Sequence, residues 1–288
     1  MAGVRRKCHL KGQPSRRLCV VSSLDNSQET SLDLMLSASG AIAPRLPEPP
    51  AVLQKPAFFL DLDGVLAPLA PTPDAVGPDA RRTEVLRRLT QRLDGRVAIV
   101  SGRTLSEIDR ISDGAARAAS GVHGLQRRRG DGSLANRAPD PAVRKAVAAF
   151  DSFASGRPGV IVEDKTLAAG LHYRQAPGVS TEALALAAAL AQETGLALQP
   201  GSMVLELKTP GTDKGAALTA FMAETPFTGA VPVMVGDDLT DEHGFEAAEA
   251  LGGFGVLVGA ERPTAARYRL EDVAAVLDWL DQIEGGAA

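Results

Sequence analysis

The run Ala57-Phe58-Phe59-Leu60 ends abruptly in Asp61-Leu62-Asp63-Gly64, and this junction restricts the folds open to the chain. An apolar run of this kind reads as a strand buried on both faces, as found in parallel sheets covered by helices. Side chains alternate along a strand, so residues 61 and 63 are expected to point the same way. Two like charges in one place must share a proton or bind a cation. Asp and Gly also favour turns for local backbone reasons. Taken alone, the segment is therefore equally a polar turn, and other parts of the chain must decide.

The pattern of apolar run followed by polar motif recurs. After a loop carrying Pro68, Pro71, Pro73 and Pro78, the fourfold spacing of Val85, Leu89 and Leu93 predicts a helix stopped by Gly95. Arg96–Val100 reads as a second strand, ending at Ser101-Gly102-Arg103, and Leu105, Ile108 and Ile111 mark a second helix. Strand, helix, strand, helix is the signal of a parallel sheet with helices on both faces. Near residue 120 the pattern changes. Arg127, Arg128 and Arg129 with Gly130, Asp131 and Gly132 predict a hairpin. A helix over 141–154, strands near 159–164 and 168–174, an alanine-rich helix from Thr181 to Thr194, and strands near 196–199 and 203–208 follow. This stretch reads as an α+β insert of roughly eighty residues. From Gly211 the parallel pattern resumes with a helix over Ala216–Met222 and strands at Val231–Val235 and Gly253–Val258. Leu270, Val273, Leu277 and Leu280 predict an amphipathic C-terminal helix.

The expected organisation is an α/β core split into residues 53–122 and 209–288, with an inserted domain over 123–208. Residues 1–52 are expected to be a flexible leader and Pro-rich linker. Its start is basic, but Leu18–Val21 is too short for a signal-peptide core or a membrane span, and Met35 offers an internal alternative start. With 44% hydrophobic and 23% charged residues and a net charge of −4, the chain matches ordinary soluble proteins. No basic block in its body points to nucleic acid or a membrane surface, so a small molecule is the expected ligand. Cys8 and Cys19 are the only cysteines, which argues against a disulfide framework or cysteine metal site and fits a reducing cytoplasm.

Three further segments carry chemistry. Ser101, at a strand end, either donates its hydroxyl to a phosphate oxygen beside the permissive backbone of Gly102 or caps the next helix. Lys214, in Gly-Thr-Asp-Lys-Gly, puts a cation at a helix start, where anions are preferred, which points to a bound anion; otherwise it is a solvated surface residue. Gly236-Asp237-Asp238-Leu239-Thr240-Asp241-Glu242 places four acids directly after an apolar strand. These could serve the helix dipole, but at the C-terminal end of a strand they also suit the oxygen shell of Mg²⁺.

Asp-x-Asp-Gly, then Ser, then Lys, then the acidic cluster resembles the haloacid dehalogenase (HAD) superfamily of phosphohydrolases. The match implies a Rossmann-like core with a parallel sheet plus an inserted α+β cap domain. Gly-Val-His-Gly at 121–124, Val-Glu-Asp-Lys at 162–165, His-Tyr-Arg at 172–174 and Leu-Glu-Leu-Lys at 205–208 narrow the resemblance to the trehalose-6-phosphate phosphatase family. The resemblance spans about residues 57 to 245 and implies Mg²⁺-dependent hydrolysis of trehalose 6-phosphate. Asp61 would be the nucleophile and Asp63 the acid and base. Metal would be held by the Asp61 carboxylate, the Asp63 carbonyl and Asp237, with Asp238 and Asp241 holding metal-bound waters or orienting Lys214. Ser101 and Lys214 would grip the phosphoryl group, with Gly102 and Arg103 beside them. Glu163, Lys165 and Glu206 would read the sugar, with His123, His172 and Arg174 as further candidates, and His243 is expected to be structural. A monomer is expected. Another sugar phosphatase, such as one for sucrose 6-phosphate, a non-catalytic sugar-phosphate sensor, and a phosphate-accepting receiver module are the alternatives.

Overall fold

In a computed structural model of this chain, residues 45–285 are described. Cys8, Cys19, Met35 and most of the expected leader lie outside them. The Pro-rich end of that leader is tied to the body: Arg269 N–H donates to the Pro47 carbonyl at 2.9 Å, and the Trp279 indole N–H to the Pro50 carbonyl at 3.1 Å. Strand β1 (Val52–Leu53) follows, then β2 (Pro56–Leu60), buried at every position. Alternation along β2 sends neighbouring side chains into two separate cores. Phe58 packs edge-on against Trp279 with centroids 5.4 Å apart, whereas Phe59 stacks on Phe227 at 5.4 Å and touches Phe221 at 6.0 Å. This is the burial on both faces that the apolar run predicts.

Helix α1 (Ala80–Arg92) is capped by Asp79, whose carboxylate accepts from Arg82 N–H, and it buries Val85, Leu86 and Leu89. Strand β3 (Val97–Val100) leads to helix α2 (Leu105–Ser112), opened by a capping box between Thr104 and Glu107. Strand β4 (Ala118–Gly121) runs parallel to β3. The hairpin of β5 (Gln126–Arg128) and β6 (Leu134–Asn136) then pairs antiparallel onto β4 and extends the core sheet. The insert boundary expected at residue 123 therefore lies on the wrong side of this hairpin. The arginines that predict this hairpin also anchor it: Arg127 and Arg129 pair with Glu224 of the core, and Arg128 pairs with Asp109 on α2.

The insert proper begins with helix α3 (Ala142–Ala154) and continues through β7 (Ile161–Asp164), β8 (Ala168–His172), helix α4 (Ser180–Thr194), β9 (Ala197–Gly201) and β10 (Val204–Lys208). Its strands form an antiparallel sheet in the order β7-β8-β10-β9. Ala169, Leu171, Leu205 and Leu207 pack on Phe150, Ala146, Ala183 and Ala187 of the two helices. The other face is left for polar side chains.

The chain returns through helix α5 (Lys214–Met222), β11 (Val231–Gly236), helix α6 (Glu242–Ala250), β12 (Phe254–Val258), β13 (Tyr268–Leu270), helix α7 (Val273–Gln282) and β14 (Glu284–Gly285), which pairs with β1. Leu270 thus ends a strand instead of starting the last helix, because the Asp272 carboxylate accepts from Ala275 N–H and fixes the helix start at Val273. The core sheet has the order β13-β12-β11-β2-β3-β4-β5-β6, parallel from β13 through β4. The architecture is α/β with a mostly parallel sheet and a capping insert. Among the described residues no helix is long and apolar enough to cross a membrane.

Candidate active site

Strand β2 lies between β3, which follows it in the chain, and β11, which arrives after the insert. The crevice at such a switch in strand order is where parallel sheets bind ligands, and three of the motifs open there: Asp61 after β2, Ser101 after β3 and Asp237 after β11.

Lys214, the first residue of α5, is 2% exposed. Its ammonium lies 2.8 Å from Asp61 Oδ2 and 2.7 Å from Asp241 Oδ1. Asp213 caps the helix from outside, and Gly215 lets α5 meet α6 closely, since a Cβ there would lie 2.3 Å from the His243 carbonyl oxygen. His243 itself is exposed and takes no place in the crevice. Asp241 is fully buried and also accepts the backbone N–H groups of Asp237 and Asp238 at 3.0 Å each. It braces both the acidic loop and Lys214. The solvated-surface reading of Lys214 is thereby excluded.

Burial pushes the Asp61 carboxyl well above its ordinary range; Lys214 opposes this, while Asp241 and Asp237 add to it. Burial, and next to it Asp241, pushes Asp237 up to about 7. Burial alone would lower Lys214, but Asp241 and Asp61 outweigh it and hold the ammonium well above its usual value. Carboxylate oxygens of Asp61, Asp237 and Asp241 lie within 4.8 Å of one another. Three carboxylates facing one ammonium leave the site short of positive charge, and all-oxygen donors suit a hard divalent cation. Gly64, at φ +78°, makes room for this: a Cβ there would lie 2.0 Å from Asp237 Oδ2.

Asp63 lines the same cleft as Asp61 but lies outside that three-carboxylate cluster. Both of its oxygens are held by Arg103, from Nε at 2.8 Å and Nη2 at 2.9 Å. Strand β2 ends at Leu60 and the chain turns at Gly64. Arg103 also donates to Glu107 and to the Pro73 carbonyl, which ties Asp63 to the proline loop at the mouth of the crevice. Ser101 is 1% exposed and its Oγ accepts from Arg103 N–H at 3.2 Å. The cap of α2 is Thr104, so the helix-capping alternative for Ser101 falls away. Asp238 is half-buried and accepts from Leu239 N–H at 2.6 Å, capping a short turn beside Asp237.

Across the cleft stands the polar face of the insert. Register pairs Glu163 with Gly170, Gly170 with Glu206, and Glu206 with Gln199. Residues directly opposite one another share a face, so Glu163, Glu206 and Gln199 form one row looking toward Asp61, and all three line the cleft. Glu163 accepts from His172 Nε2 at 2.8 Å and lies 3.5 Å from Lys165. Lys165 binds Glu206 and donates to the Gly102 carbonyl at 2.9 Å. His123 Nε2 is 2.7 Å from the other Glu206 oxygen. Arg174 reaches the Ser202 carbonyl at 2.9 Å, at the cleft edge. Burial would raise Glu206, but Lys165 and His123 together outweigh it and hold it well below the usual carboxylate range. Gln199, Ser202 and Thr72 line the same cleft and have no motif to announce them. Only the register that sets Gln199 opposite Glu206 reveals it.

The profile of the trehalose-phosphatase family matches residues 59–274. The chain belongs to this family. A trehalose-6-phosphate phosphatase of Escherichia coli (strain K12) is 40% identical over 240 residues, covering 83% of this chain and 90% of the relative. A solved trehalose-6-phosphate phosphatase related protein is 27% identical with a TM-score of 0.61, covering 78% of this chain and 95% of the other. The fold is also that of a Bacteroides thetaiotaomicron phosphatase of the HAD superfamily, at 16% identity, a TM-score of 0.52, and 82% and 96% coverage. The region matched by the trehalose-phosphatase profile takes in every site residue from Asp61 to Asp241.

Proposed function

We propose that this chain hydrolyses trehalose 6-phosphate to trehalose and phosphate through an aspartyl-phosphate on Asp61. The observation that carries the reading is the pairing of Asp61 with Lys214 at 2.8 Å beneath the Glu163, Glu206 and Gln199 row of the cap. One end suits a phosphoryl group and the other a polyhydroxylated body.

An Asp61 carboxylate oxygen attacks phosphorus as the bond to the sugar oxygen breaks, and Asp63 gives that oxygen its proton. Water then attacks the phosphorus of the aspartyl-phosphate, Asp63 takes the proton back, and phosphate leaves with Asp61 restored. Ser101 and Lys214 hold the equatorial phosphoryl oxygens, where charge is spread during transfer. Asp61, Asp237 and the Asp63 carbonyl would hold Mg²⁺, which supplies charge neutralisation at the phosphate when bound. Asp241 orients Lys214, and Arg103, which holds both Asp63 oxygens in the free protein, yields one of them for the proton transfer. Glu163, Lys165, Glu206 and Gln199, with His172 and Arg174, offer charged and amide partners to sugar hydroxyls. A monomer working in the cytoplasm completes the proposal.

Phosphate release from trehalose 6-phosphate, sucrose 6-phosphate and glucose 6-phosphate, with wild type and Asp61→Asn, tests it. Preference for the trehalose ester and loss of turnover in Asp61→Asn are expected. Equal rates on all three esters would refute the substrate, and turnover without Asp61 would refute the nucleophile.

A further inference from the structure

His123 sits in a turn whose backbone is held in an unfavourable conformation. Val122 has φ 47° and His123 φ 50°, and a β-branched residue in the left-handed region is an outlier that only a tightly determined setting maintains. The setting here is the active site. Val122 N–H donates to the Arg103 carbonyl at 2.9 Å and His123 N–H to the Ser101 carbonyl at 3.1 Å. A Cβ on Gly124 would lie 2.5 Å from Thr212 Oγ1, just before the helix that carries Lys214. The turn is therefore wedged between the Ser101 loop and the approach to Lys214.

From this position the imidazole reaches across the cleft to the cap. A Cβ on Gly102 would meet its Nε2 at 2.6 Å, so only glycine leaves the ring its path. Glu206 is 4% exposed and its second oxygen is taken by Lys165, itself bonded to the Gly102 carbonyl. As an ionised carboxylate Glu206 only accepts, so Nε2–H of His123 donates to it. Two core groups, His123 Nε2 and the Gly102 carbonyl, thus meet two cap groups, Glu206 and Lys165.

We infer that His123 is a positioning residue for Glu206, setting the sugar-reading face of the cap in register with the phosphate grip of the core. Its strained turn ties that register to Ser101 on one side and to the Lys214 helix on the other. His123 acts through Glu206 and needs no contact with the sugar. The inference rests on the sugar-phosphate reading of the cleft.

The test compares wild type with His123→Gln, which keeps a nitrogen donor near the place of Nε2, and His123→Asn, which withdraws it. With trehalose 6-phosphate, His123→Asn should raise KM about tenfold, the scale of one hydrogen bond to a charged group. Its kcat should change less, and His123→Gln should recover most of the loss. Equal losses in the two variants, or a loss confined to kcat, would overturn the inference. Hydrogen exchange in the free full-length chain gives a second decision that needs no substrate. Faster exchange over 121–124 and 165–168 in His123→Asn, restored in His123→Gln, supports the inference, and equal protection in all three proteins overturns it. Absence of trehalose 6-phosphate turnover in wild type would sink the functional reading and leave the exchange result to decide the role of His123.

Discussion

The Lys214 ammonium lies 2.8 Å from Asp61 Oδ2, and the same nitrogen is 2.7 Å from the fully buried Asp241. One cation thus neutralises the proposed nucleophile and the residue that braces the acidic loop. Replacing it with a neutral side chain of similar length strands two buried carboxylates. Lys214→Met should cost about 3–5 kcal/mol in denaturant unfolding and about 10²–10³ in kcat. Unchanged stability and turnover would contradict the pairing.

Proton linkage gives a second prediction. Without a cation Asp237 is pushed up to about 7, against about 4 for an ordinary aspartate. An acid whose folded-state pKa is raised binds more protons folded than unfolded. Its burial therefore destabilises the metal-free protein progressively as pH rises from about 4 to about 7. Mg²⁺ needs the deprotonated carboxylates, so binding releases protons and tightens over the same range. Thermal unfolding should show a larger Mg²⁺-induced rise in Tm at about pH 8 than at about pH 5.5. A shift that shrinks as pH rises would contradict the assignment.

The crossing of α5 and α6 yields a steric prediction. A Cβ on Gly215 would lie 2.3 Å from the His243 carbonyl oxygen, a backbone atom with little freedom to move, whereas a Cβ on Gly178 meets nothing within 4 Å. Gly215→Ala should lose about 1–3 kcal/mol of stability and reduce kcat by shifting Lys214. Gly178→Ala should be close to neutral in the same unfolding assay.

Gln199 offers a test of the cap face. It stands opposite Glu206 and lines the cleft, so Gln199→Leu, of similar size without hydrogen bonding, should raise KM for trehalose 6-phosphate about two- to tenfold. No change in KM would remove Gln199 from the sugar site.

The places where sequence reasoning worked and failed have a common physical basis. Strands such as Phe58–Leu60 and Val233–Val235 are buried on both faces, so their apolar runs announce them, and the motifs directly after them announce the crevice. The hairpin at 126–136 is legible as a hairpin, but its attachment to the core is not, because its arginines look solvated until their partners Glu224 and Asp109 are known. The partner of Asp63 is Arg103, forty residues away. Gln199 joins the site through strand register alone. Local periodicity reports local burial, whereas pairings between distant segments need the folded chain.

The account stands on the covalent role of Asp61. Wild-type protein mixed with trehalose 6-phosphate and Mg²⁺, quenched in acid during turnover and reduced with borohydride, reports it directly by peptide mass mapping. An acyl phosphate on Asp61 would be reduced to homoserine at position 61, and the account predicts that product there and nowhere else. An unmodified Asp61 under conditions of full turnover, or reduction at Asp63 or Asp237 instead, would contradict it.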